Sequence, residues 1–123
     1  MKAIKNSLRK NMRSYHFALK GIREVWKGNN FKYQLTAAFF TIILGGYLEL
    51  NSKEWIIVSI MIGLVLSAEA FNSAIEILVD LVSPEHSLQA GKVKDISAGA
   101  VLIMAMTALV AGLLIFLPKF INL

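Results

Sequence analysis

The chain has 123 residues, 56% of them hydrophobic and 17% charged, with a formal net charge of +5 and no cysteine. An average soluble domain is about 45–50% apolar and about 25% charged, and one this small has too little interior for so many apolar side chains. The composition therefore excludes a monomeric soluble globule, a disordered chain, disulfide frameworks and thiolate chemistry, and leaves an all-α membrane protein of one domain over residues 1–123 as the expectation.

Nine of the thirteen Lys and Arg fall in the first 32 residues. Residues 3–27 read as an amphipathic helix. Ile4, Leu8, Met12, Tyr15, Leu19, Ile22 and Trp26 recur at steps of three and four, with Arg9, Lys10 and the other charges between them. A basic arm suits nucleic acid or an anionic membrane surface. The apolar chain that follows assigns it to the membrane interface, with no nucleic-acid partner. The segment lacks the short apolar stretch and small-residue cleavage site of a secretory signal.

Lys27-Gly28-Asn29-Asn30 reads as a break. Three apolar spans follow, at about 33–50, 55–82 and 96–120, each expected to be a transmembrane helix, the first at the short end of what crosses a bilayer. Asn51 to Glu54 joins the first two spans, and Ser83 to Asp95 joins the last two. The amino-terminal arm and the second linker together hold eleven basic residues, against Lys53 and Lys119 on the other side. By the positive-inside rule the arm and the second linker face the cytoplasm, so the expectation is a multi-pass membrane protein with its amino terminus cytoplasmic.

The second span carries Glu69, Asn72, Glu76 and Asp80 within about 80° of one another around the helix. An acid at a membrane helix centre costs about 2.5–3.5 kcal/mol, so such groups mark functional sites unless they only join helices. Three acids with no basic residue in the span need a counter-charge, either Mg²⁺ or a Lys from a neighbouring segment. Glu69 lies about 16 Å deeper than Asp80 and suits a general base; Glu76 and Asp80, nearer the edge, suit a hard cation. In the linker, Lys92 and Lys94 are placed to neutralise phosphates. Asp95 is either a partner in that site or the amino-terminal cap of the third span. Ser97, Ala98, Gly99 and Ala100 are small enough for close approach by a helix or ligand. The chain has no Walker loop, no protein-kinase glycine loop and no serine nucleophile elbow.

The run from Glu69-Ala-Phe-Asn72 through Glu76 and Asp80, continued by Leu81-Val-Ser-Pro-Glu85 and by Ala90-Gly91-Lys92-Val-Lys94-Asp95-Ile-Ser-Ala-Gly99, resembles the signature of the prokaryotic diacylglycerol kinase family, which includes undecaprenol kinases. The resemblance covers the whole chain. It implies an integral membrane lipid kinase, usually a homotrimer with shared active sites, that transfers the γ-phosphate of MgATP to a lipid hydroxyl. Diacylglycerol, giving phosphatidic acid, is the first acceptor it implies, and undecaprenol the alternative. It implies Glu69 as catalytic base at the lipid substrate, with Ser97 and Ala98 beside that substrate. Asn72 and Lys94 become active-site groups, and Arg9 or Lys10, Glu76, Asp80, Glu85, Lys94 and Asp95 nucleotide contacts. Glu76 becomes a ligand of Mg²⁺. The family carries a metal-binding Glu in the first connection, where this chain has Gly28-Asn29-Asn30; Asn29 is its nearest counterpart and Glu24 lies one turn away. Two further readings of the same carboxylate stripe are a non-catalytic scaffold that has lost its metal site and a proton or ion conductor.

Overall fold

A computed structural model describes residues 1–122 and contains four helices: α1 (Lys2–Val25), α2 (Asn29–Tyr47), α3 (Ser52–Val82) and α4 (Leu88–Ile121). At about 1.5 Å per residue, the 31 residues of α3 and the 34 of α4 run about 46 and 51 Å. Both are long and apolar enough to cross a membrane. α2, with 19 residues, does not reach that standard. Its first two turns carry Asn29, Asn30, Lys32, Gln34 and Thr36, so its apolar part is shorter than the expected span.

The helix boundaries differ from the sequence expectation in two informative places. The break after α1 is confined to residues 26–28, because extended Gly28 caps α2 and both asparagines enter the helix. The second linker is residues 83–87 and not 83–95. Ser87 Oγ accepts from Ala90 N at 3.1 Å and starts α4 there. Lys92, Lys94 and Asp95 therefore lie on α4, and Asp95 is not its cap.

Two local devices close the α2–α3 turn. Leu50 N donates to Gly45 O at 3.0 Å and Glu49 N to Gly46 O at 3.3 Å, the paired bonds of a Schellman ending. Glu49 occupies the left-handed position of that motif, at φ 52°. Asn51 then caps α3. Its Oδ1 accepts from Lys53 N and Glu54 N, while Glu54 Oε2 accepts from Asn51 N at 2.8 Å, a capping box. Lys119 Nζ, from α4, reaches Glu54 Oε2 at 3.1 Å and Glu49 O at 3.3 Å, and ties α4 to the same end. A left-handed residue with a Cβ costs about 1–2 kcal/mol that glycine avoids. Glu49→Gly is therefore expected to raise stability by about 1 kcal/mol, read as a higher thermal midpoint in detergent; an unchanged or lower midpoint contradicts it.

α3 and α4 pack as an antiparallel hairpin and α2 lies antiparallel along α3. The apolar core is Leu48, Leu50 and Val58 with Leu44, Trp55, Ile62, Ile115 and Phe116. It sits at the Glu49–Lys119 end, so the other end of the hairpin is left to polar groups. α1 approaches α3 through its last turns, where Ile22 and Val25 face Ala70, Ala74 and Ile77 across a cleft, and the Trp26 and Phe31 rings meet edge-on at 6.2 Å. Its apolar residues Ile4, Leu8, Met12, Tyr15 and Leu19 are exposed in the single chain, as befits a stripe whose cover is not protein of the same chain.

Candidate active site

Polar groups concentrate on one face of the lower half of α3. Glu69 and Asn72 are 5% and 4% exposed, whereas Glu76 and Asp80 on the same face are open. The reason is the position of α2. Gln34 stands opposite Glu69, and α2 begins only five residues earlier, at Asn29, about 7–8 Å further along. The stripe outruns its cover, and its last two rungs project past the start of α2. Counted from Trp55, the roughly 20 residues that a hydrocarbon core takes up end near Ala74. Glu69 and Asn72 fall within that length, and Glu76 and Asp80 beyond it.

The hydrogen bonds divide along the same line. Gln34 Nε2 donates to Glu69 Oε2 at 3.0 Å. One turn on, Asn72 Nδ2 donates to Glu76 Oε1 at 3.1 Å. Lys94 Nζ, from α4, lies 2.5 Å from Asp80 Oδ1, so the counter-charge required by the stripe comes from the neighbouring helix. The pair is open to solvent and contributes under about 1 kcal/mol; its consequence is to hold an ammonium at the rim. Among the described residues two buried oxygens have no partner, Gln34 Oε1 and Asn72 Oδ1. Asn72 also lines a cleft of about 490 Å³ between α3 and α4, whose far wall includes the buried Ser97 and the exposed Ala100.

The oxygen set suits a hard cation. Mg²⁺ is usually held by one or two carboxylates, substrate phosphates and water. Glu76 offers a carboxylate, Asn72 Oδ1 an unused oxygen beside it, and Asn29 opens α2 at a comparable level. Among the described residues no three acidic or imidazole groups converge, so a cation here would need further ligands from phosphate or solvent. Glu24, the other acid near the first connection, is engaged by Lys27 Nζ at 2.7 Å.

The expected site residues are thus partly assembled. Glu69, Asn72, Glu76, Asp80 and Lys94 form one ladder. Glu85 is exposed in the short α3–α4 connection, where its carbonyl accepts from Ser83 Oγ at 2.9 Å. Asp95 and Ala98 are exposed on α4. Arg9 and Lys10 stand apart. They are exposed on α1, about 20 Å along its axis from the turns that meet α3, and this chain by itself does not bring them to the stripe. Gln34 was not among the expected residues. Its signal in the sequence was a lone amide in an apolar span.

Residues 16–116 match the prokaryotic diacylglycerol kinase family. The chain belongs to that family. This makes it a member of a family of bacterial membrane lipid kinases. The match includes Gln34, the α3 stripe and Lys94 but starts beyond Arg9 and Lys10. Among characterised relatives, the undecaprenol kinase of Bacillus subtilis (strain 168) is 40% identical over 116 residues, 94% of each chain. The diacylglycerol kinases of Escherichia coli (strain K12) and Shigella flexneri are 26% identical over 105 residues, 85% of this diacylglycerol kinase-family chain and 86% of theirs.

Proposed function

We propose that this chain is an ATP-dependent lipid kinase that phosphorylates the terminal hydroxyl of undecaprenol. The higher identity with an undecaprenol kinase, 40% against 26%, carries the choice of acceptor. It reverses the order of the sequence reading, which put diacylglycerol first.

In this reading Glu69 is the general base. It is buried at lipid depth with Oε2 already bound by Gln34, which leaves Oε1 for the acceptor. Oε1 takes the hydroxyl proton as the lipid oxygen attacks the γ-phosphorus, and the bond to the bridging oxygen of ADP breaks in line. Lys94 exchanges Asp80 for phosphate oxygens and offsets their charge; Lys92, two residues earlier and about 200° around α4, lies on a different face and does not join that contact. Glu76, Asn72 and Asn29 would hold Mg²⁺, which when bound neutralises charge on the β- and γ-phosphates. Glu85 and Asp95 border the nucleotide from the rim, and Arg9 or Lys10 reaches it from a neighbouring copy. Ser97 and Ala98 flank the acceptor.

The membrane arrangement belongs to the same proposal. α2 spans together with α3 and α4, its polar first turns sheltered by neighbours. The basic end faces the cytoplasm, on the eleven-to-two division of Lys and Arg. The chain works as a homotrimer, supported by apolar faces on every helix that the single chain leaves open and by a carboxylate stripe that three spans alone do not enclose.

The test is phosphate transfer from labelled MgATP in mixed micelles, with undecaprenol and diacylglycerol offered in parallel. Undecaprenol is expected to be phosphorylated about tenfold faster or more, a preference worth about 1.4 kcal/mol. Faster transfer to diacylglycerol overturns the acceptor. Transfer to neither lipid overturns the kinase and favours the scaffold reading.

A further inference from the structure

The geometry points to Gln34 as a positioning residue for the base. This rests on the kinase reading above and adds a residue on a different helix, distant in sequence. Glu69 is almost wholly buried, and no Lys or Arg contact accompanies it among the described ion pairs, whose lysines are taken by Glu24, Asp80 and Glu54. The side-chain hydrogen bond found for its carboxylate comes from Gln34 Nε2, at 3.0 Å and across 35 residues of chain. An amide is suited to this place. It donates to one carboxylate oxygen and carries no charge of its own, so it fixes the rotamer without forming an ion pair that would quench the base.

Two further observations argue that this contact is more than packing. The carbonyl end, Gln34 Oε1, is buried with no partner. Buried polar atoms are nearly always satisfied, so an amide with one end unpaired is a costlier filler than an apolar side chain of the same size. Gln34 also sits at the lower end of the apolar cleft between α2, α3 and α4, beside Leu66 and Ala38. The amide is therefore the polar group at the place where the apolar wall gives way to Glu69. With Oε2 of Glu69 occupied from the α2 side, its second oxygen is the one that meets a hydroxyl. Gln34 thereby decides which oxygen receives the proton and holds it against rotation. Its effect belongs to the chemical step and not to the binding of either substrate.

The experiment compares wild type, Glu69→Gln, Gln34→Leu and Gln34→His in the purified full chain, with kcat and KM measured for the lipid and for ATP. Gln34→Leu keeps the volume and removes the donor. It is expected to lower kcat about tenfold or more while both KM values stay within about twofold. Gln34→His keeps an N–H donor and is expected to recover most of the lost kcat. Unchanged kcat in Gln34→Leu overturns the assignment, as does a loss shared equally by kcat and KM, or one matched by a fall in thermal midpoint that Gln34→His does not repair. If wild type transfers phosphate to neither lipid, the kinase reading itself fails; if Glu69→Gln turns over like wild type, the assignment of Glu69 as base fails; either result is distinct from a failure confined to Gln34.

Discussion

Glu69→Gln is expected to reduce lipid phosphorylation by about 10²–10⁴-fold while leaving the protein folded. The two side chains have the same shape. Gln34 Nε2 donates to Glu69 Oε2 in the native protein, and the amide oxygen of a glutamine accepts the same bond. The substitution removes the ability to take a proton and little else, and the buried position no longer carries a charge that must be compensated. Thermal midpoint and oligomer size in detergent should match wild type within error. Substantial turnover by the purified variant would sink the assignment of Glu69 as base, whatever the acceptor. Loss of folded protein would instead show that the carboxylate is structural.

Gly45→Val is expected to lower stability by about 1–3 kcal/mol, the usual cost of forcing atoms into a packed site. A Cβ at this position would stand 2.9 Å from Trp55 Cη2, 3.2 Å from Cζ2 and 3.3 Å from Leu50 Cδ2. Those neighbours belong to the main apolar core, and an indole ring cannot yield by bending. Relief requires α2 to lift off α3 beside the turn that Gly45 O itself closes. The adjacent glycine supplies the control. Nothing lies within 4 Å of a Cβ on Gly46, so Gly46→Ala should be neutral or stabilising by up to about 1 kcal/mol through helix propensity. Opposite shifts in thermal midpoint at neighbouring positions would establish close packing at Gly45. Equal shifts would refute it.

Much of this arrangement is legible in the residues themselves. The amphipathic stripe of α1 follows from spacing, and the α3 carboxylates share a face because 69, 72, 76 and 80 differ by helical steps. Three acids and no base in one span call for a counter-charge, Mg²⁺ or a neighbouring Lys, and Lys94 stands beside Asp80. What the chain hid were the helix ends. An apolar window finds where hydrocarbon stops, and α4 continues through Asp95, Lys94 and Lys92 to Leu88, because charged residues propagate a helix once Ser87 has capped it. Asn29 and Asn30 read as a turn, yet an extended glycine ahead of them suffices to start α2. Gln34 was hidden for a different reason. Its meaning depends on facing Glu69, and register between two antiparallel helices is set by packing at Gly45 and Trp55, which no local pattern encodes.

The polar ladder on α3 has one further consequence. Its rungs are fixed along a stiff rod, about 16 Å from Glu69 to Asp80, so they move together or not at all. A bilayer whose acyl chains are longer submerges every rung by the same amount. About one helical turn, near 5.4 Å, brings Glu76 to the depth that Asn72 now holds and raises the cost of its charge. A thinner bilayer lifts Glu69 toward water and screens it. Hydrophobic mismatch is cheap per ångström for most membrane proteins. Here it acts on ionised groups placed at the boundary, so the thickness of the surrounding lipid becomes a setting of the site itself.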